Sequence, residues 1–367
     1  MPSLISLLAT AALITPSLTI PSPQNFPGNV SPQDPRFTYY PFNTPLTGPC
    51  DLTTGPDGAI WSSNFIKNSI GRVDPYTGKV TEYQVPSINL TDLRLGDIAG
   101  RAGLSCVIQP GSDGFLYAAS GIRNELLKIN PKTKEIKVFT PPSNGEVPSV
   151  VGNLEPFNDM WRGPKGMLYT QTTANVISYF TYDTEEFITF RPPTPLSGPL
   201  GIYVASDGHA WFCEFFANKI GRLDISTGEI IEYPIPTPLS SPAVIRAETS
   251  DSEGTYIWFT AFTGNYNGRV NIHTGEVKAF PSTSLLSFPT ENTVDGEGNV
   301  WFSTATRNSV NKLNPNTGVV TSVKQPGTLI ESPISVHPRV NIAVHYGPGN
   351  AIWFTELARN RIGRFQL

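Results

Sequence analysis

Two glutamates end the same four-residue pattern, Trp211-Phe-Cys-Glu214 and Trp353-Phe-Thr-Glu356. A carboxylate so placed can move a proton or hold a hard cation. Arg246 and Thr290 offer other chemistry, a guanidinium and a hydroxyl that polarise a carbonyl oxygen. Glu214, Glu356, Arg246 and Thr290 are the candidate catalytic residues. Asn158 and Asn341 add amide donors, and Phe65, Phe215 and Phe262 add apolar wall; these five are the candidate substrate-binding residues. His209, His273, His337 and His345 include no pair at metal-ligand spacing, and there is no Cys-x-x-Cys, so no metal site is expected. A Gly-x-Ser-x-Gly nucleophile turn is also missing from the sequence.

A repeat must position these residues. Seven times an aromatic on a short apolar run (Trp61, Tyr117, Tyr169, Trp211, Trp258, Trp301, Trp353) is followed by Asn and then by a Gly-Arg-like pair, as in Asn68-Ser-Ile-Gly-Arg72 and Asn218-Lys-Ile-Gly-Arg222. A unit of this length cannot bury its own apolar face and must stack on its neighbours. Within one unit, Asp51–Gly55, Ala59–Ser63, Ser69–Asp74 and Lys79–Val85 read as strands separated by turns such as Pro56-Asp57-Gly58 and Thr77-Gly78. Four antiparallel strands per unit and seven units predict an all-β, seven-bladed β-propeller over residues 36–367. The last unit lacks a fourth strand. Arg36-Phe-Thr-Tyr-Tyr-Pro41 has the fourth-strand pattern, so it is expected to pair with that unit and close the ring, which removes exposed sheet edges. The seven aromatics are expected to be packing, not chemistry.

The same register predicts two rings of residues at one mouth of the central channel. One is Cys50, Cys106, Asn158, Leu200, Arg246, Thr290 and Asn341; the other is Asn64, Ser120, Thr172, Glu214, Ala261, Thr304 and Glu356. Blade seven has one extra turn residue, which leaves Asn341 open to a shift of one. Asp51, Asp159 and Glu291 each follow a first-ring position. The loops Ser87–Gly103 and Pro141–Leu154 are expected to cap this mouth. Cys50 and Cys106 occupy equivalent places in adjacent blades; they either bridge or remain two buried thiols. Cys213, beside Trp211, reads as buried core.

Net charge is −4 with both signs scattered, which argues against nucleic acid as a partner. Leu4–Ile14 is nearly all apolar and is followed by Pro16, Ser17 and Thr19. Residues 1–20 therefore read as a signal peptide and 21–35 as a flexible approach, although no Lys or Arg precedes the apolar run. Asn29 and Asn89 open glycosylation sequons. After residue 20 no apolar run is long enough to cross a bilayer. The expectation is a secreted monomer acting on a small molecule.

The repeat resembles the virginiamycin B lyase family. The likeness is nearest in Gly198-Pro-Leu-Gly-Ile202 through Trp211-Phe-Cys-Glu214 to Asn218-Lys-Ile-Gly-Arg222, and in the matching stretch of blade seven. The resemblance implies a seven-bladed propeller. It also implies a lyase opening a macrocyclic lactone with Mg²⁺, glutamates and histidines at the mouth. Cys50 and Leu200 stand where that family commonly has histidine, so an imidazole base is in doubt; Glu214 and Glu356 remain as a Mg²⁺ pair. The chain also resembles the propeller-type hetero-Diels–Alderases of fungal natural-product clusters. That resemblance implies a metal-independent, cofactor-free cyclase whose pocket aligns two reactants. A non-catalytic binding propeller is the third reading.

Overall fold

In the computed structural model, residues 34–86, 103, 105–121, 124–142, 158–326 and 340–367 are described. The leader, Asn29, Asn89 and nearly all of the two loops expected to cap the mouth lie outside them.

The described residues form seven four-stranded antiparallel sheets, six of them meanders in chain order and the seventh completed by the first strand of the chain. Blade one runs Pro49–Thr54, Ile60–Asn64, Ser69–Val73 and Val80–Gln84. The first strands of the other blades are Ile108–Pro110, Met160–Arg162, Pro199–Val204, Pro242–Asp251, Pro289–Val294 and Val344–Gly347. Each packs on the first strand of the next blade, and blade seven returns to blade one. This is the seven-bladed propeller. Phe37–Pro41 pairs with the last strand, Arg361–Gln366, with Phe37 opposite Phe365 and Pro41 opposite Arg361, so the ring closes as the sequence implies.

All seven aromatics are buried, filling the space between sheets. In the turn before each, the acidic residue often accepts a hydrogen bond from the ring: Trp61 Nε1 donates to Asp57 at 2.8 Å, and Tyr117 Oη to Asp113 at 2.7 Å. The glycine of the Gly-Arg pair has a steric cause. A Cβ at Gly221 would stand 2.1 Å from the Phe212 ring, so the aromatic that follows Trp211 needs a bare backbone opposite it.

The repeated Asn is a latch between blades. Asn360 is in the left-handed region, at φ 56°, and its Oδ1 accepts the N–H of Thr47 at 2.7 Å while its Nδ2 donates to Thr44 O at 2.8 Å. Asn218 holds the Ser240 N–H and the Thr237 carbonyl in the same way, at 2.7 and 3.0 Å. Each latch fixes the loop leading into the next innermost strand on the mouth side.

Three blades depart from the uniform register. In blade three Leu168 lies opposite Tyr179, as Trp211 lies opposite Arg222 in blade four; Leu168, not Tyr169, holds the anchor position. The second-ring residue there is therefore Gln171 rather than Thr172. In blade five the innermost strand has ten residues and its register shifts between Ile245 and Ala247, with Pro242 opposite Ala261. Arg246 is thus the extra residue of a β-bulge, and Ala243 holds the first-ring place. In blade seven His345 lies opposite Trp353, which places Ile342, not Asn341, in the first ring.

Candidate functional site at the channel mouth

The bulge sends Arg246 across the channel. Its Nη1 lies 3.0 Å from Asp51 of blade one and 2.6 Å from Glu291 of blade six, and its Nη2 pairs with Asp159 of blade three. All four side chains are buried, exposing 6% or less. The carboxylates are held from behind as well: Asp51 accepts the Ile108 N–H at 2.7 Å, and Asp159 the Ile202 N–H at 3.1 Å. Burial alone would lower the Arg246 pKa, but Asp159, Asp51 and Glu291 raise it far above its ordinary value. Burial raises Asp159 and Glu291 against the pull of Arg246. The result is a charged hub joining blades one, three, five and six, with one guanidinium facing three carboxyl groups. His345, whose Nε2 meets Thr54 Oγ1 at 2.8 Å, is pushed down to about 4 by burial and by Arg246; it is neutral near pH 7.

Above blades four to six an apolar shelf forms. Leu200, Phe215, Ala243 and Phe262 pack together, with Val244, Phe288 and Ala305 against them. Phe215 and Phe262 are thus brought together, while half-buried Phe65 belongs to blade one and stands apart. Polar candidates edge the channel. Thr290 Oγ1 is 2.8 Å from Ser303 Oγ and donates to Asn341 O at 3.2 Å. Asn158 accepts from Ser105 Oγ at 3.0 Å and donates to Tyr169 Oη at 3.3 Å. Asn341 is buried, its Nδ2 donating to Arg307 O at 3.4 Å. The buried hydroxyls of Ser120 and Thr304, both second-ring residues, have no hydrogen-bond partner. Buried hydroxyls are rarely left unpaired, and Thr304 precedes Ala305 on the shelf.

The two glutamates do not meet. Glu356 is fully buried and ion-paired with Arg361. Glu214 is fully buried with no hydrogen-bond partner to either carboxylate oxygen, and burial pushes it up to about 8, with Glu232 adding to the rise and Lys219 opposing it. Glu232 and Lys219 lie on the outer strands of blade four and pair at 2.5 Å. Glu214 is therefore protonated near neutral pH and sits against that pair. Among the described residues no three of His, Cys, Asp and Glu stand together as cation ligands. Cys50 and Cys106 are bridged, with Cα atoms 5.1 Å apart, stitching blades one and two at their innermost strands. Cys213 is buried and unbridged.

A model of the virginiamycin B lyase family matches residues 91–367. The chain belongs to this family. Among curated proteins no sequence match was found. The structure is similar to virginiamycin B lyase from Staphylococcus aureus, with 24% identity, a TM-score of 0.73 and coverage of 90% of this chain and 99% of that one. A catalytically inactive form of that enzyme with quinupristin aligns at 23% identity and TM-score 0.71, over 90% and 99% of the two chains. A streptogramin B lyase aligns at 20% identity and TM-score 0.71, over 89% and 96%. At these identities the solved structures establish the fold.

The hub is what sequence reasoning missed. Asp51, Asp159 and Glu291 were each visible beside a first-ring position, but their convergence on Arg246 needs the bulge. The spacing carried a sign of it: Gly254 precedes Trp258 by four residues, where Gly208 precedes Trp211 by three.

Proposed function

We propose that this propeller is a small-molecule enzyme that joins two carbon-rich partners at the channel mouth in a concerted, metal-independent cyclisation. The observation that carries this reading is the pairing of an apolar shelf with a mouth whose charges are already spent. Leu200, Phe215, Ala243 and Phe262 offer a dry wall, while Arg246 is taken up by its three carboxyl partners and Glu356 by Arg361. A hetero-Diels–Alder reaction suits such a site. One C–O and one C–C bond form as the oxa-diene and alkene π electrons shift, no atom leaves, and no base is needed. Alignment of the two reactants lowers the barrier, and the unpartnered Thr304 hydroxyl is the donor that polarises the oxa-diene carbonyl. The Cys50–Cys106 bridge supports an oxidising compartment and so a secretory route.

Elimination on a macrocyclic lactone is the second reading, favoured by family membership. The residues present fit its Mg²⁺ poorly, since Glu356 is taken by Arg361 and Glu214 is held protonated beside Glu232.

The test is to incubate the purified protein with a quinone-methide and alkene pair, and separately with quinupristin, each with and without EDTA. A cycloadduct whose mass is the sum of both partners, formed equally in EDTA, supports the proposal. EDTA-sensitive opening of quinupristin without cycloadduct replaces it with the lyase reading. Tight capture of the reactants without product replaces it with a binding function.

A further inference from the structure

Four described loops lead from a fourth strand into the next innermost strand on the mouth side, and each carries a leucine at the same place. Leu46, Leu196, Leu239 and Leu286 have φ of 56°, 53°, 55° and 53°. They expose 54%, 56%, 70% and 58% of their surface. A branched apolar side chain is poorly suited to the left-handed region and gains nothing from water around it. Geometry alone would select Gly or Asn there, and this chain does select Asn for the same conformation at Asn175, Asn218, Asn265 and Asn360. The leucines are therefore placed for something outside the fold. Strained residues of this kind cluster at functional surfaces.

Charge separates by face in the same sense. The described mouth-side loops of blades one and four to seven, with Arg191 at the entry to blade four, carry Lys67, Arg191, Arg307 and Arg359 and no Asp or Glu. The turns of the opposite face carry Asp74, Asp183, Asp224, Glu253 and Glu297 among other acidic residues, which outnumber their lysines, Lys79, Lys132, Lys134 and Lys165. Phe216 and Leu285, 64% and 81% exposed, extend the apolar rim over blades four to six. Because the loops are equivalent in the repeat, their leucines stand at one level around the disc, which matches a flat partner.

We propose that the mouth face docks on a phospholipid bilayer with anionic headgroups. The rim leucines enter the interface, the cations face the headgroup phosphates, and the acidic face turns to water. Apolar knobs with flanking basic residues are what interfacial binding requires. The proposal stands apart from the reaction proposed above, and its test reads binding alone.

The test is vesicle flotation of the full chain on phosphatidylcholine with and without phosphatidylglycerol, compared with the triple variant Leu196→Asn, Leu239→Asn, Leu286→Asn. Asn suits the left-handed conformation, so the variant keeps its fold, checked by an unchanged or raised Tm. The leader is common to both proteins and cancels. The expected result is that the wild-type chain floats with the anionic vesicles, more weakly with neutral ones and less in high salt, and that the variant partitions about tenfold less or lower. Wild-type chain that stays in solution with both vesicle types overturns the proposal. So does a variant that floats equally well, or a leucine-dependent dimer in light scattering in place of vesicle binding.

Discussion

Arg246 of blade five reaches Asp51 of blade one across the channel, Nη1 to Oδ1 at 3.0 Å, although 195 residues separate them. The pair joins non-adjacent blades, and with Asp159 and Glu291 it makes a single charged hub at the channel mouth.

Removing the cation leaves three buried carboxyl groups facing one another. Arg246→Met is expected to lose about 3–5 kcal/mol of stability, the usual cost of breaking a buried ion pair from one side. Adding Asp159→Asn and Glu291→Gln to Arg246→Met should recover part of it. Urea unfolding of the single and the triple variant checks this. A single variant as stable as wild type would show that the hub is not a structural centre.

Glu214 binds a proton more tightly in the folded chain, with its pKa raised to about 8 from 4.5. The sign follows from linkage: this group favours folding below about pH 4.5, and the benefit is lost as pH rises towards 8. Glu214→Gln has no such loss. It should melt about 2–4 °C above wild type at pH 8 and show a smaller gap at pH 5. A gap that widens on acidification would mean that Glu214 is ionised in the folded state.

The Cys50–Cys106 bridge closes a loop across a sequence separation of 56. Reduction should cost about 4 kcal/mol if the chain-entropy account holds. Thermal melts with and without dithiothreitol measure it; a Cys50→Ser, Cys106→Ser variant that melts like the oxidised wild type would contradict it.

The repeat made the fold readable because every unit restates the same turns, and the Phe37–Pro41 strand was recognisable from its likeness to the other fourth strands. The site was less readable. Counting back from the turn assumes hairpins of equal length, and this fails in blade five, where the bulge adds Arg246. It also fails in blade seven, where Ile342 and not Asn341 holds the first-ring place; in blade three the turn is one residue shorter on the second strand, so the anchor slips to Leu168 while Asn158 keeps its place. Counting forward to the latch was the sounder rule: Leu168, like Trp211 and Trp258, precedes its Asn by seven residues. What no spacing reveals is which side chains meet across the hole. The reach of Arg246 to three carboxylates depends on channel width, and the isolation of Glu214 from Glu356 depends on each packing against its own blade.

The most direct test of the proposed site is turnover of the quinone-methide and alkene pair in EDTA by the Glu214→Gln, Glu356→Gln double variant, with circular dichroism confirming the fold. Cycloadduct formation within about threefold of wild type is predicted, because a threefold change is under 1 kcal/mol and neither glutamate touches the reactants. Loss of all turnover in a natively folded double variant would contradict the account and return the chemistry to the two carboxylates.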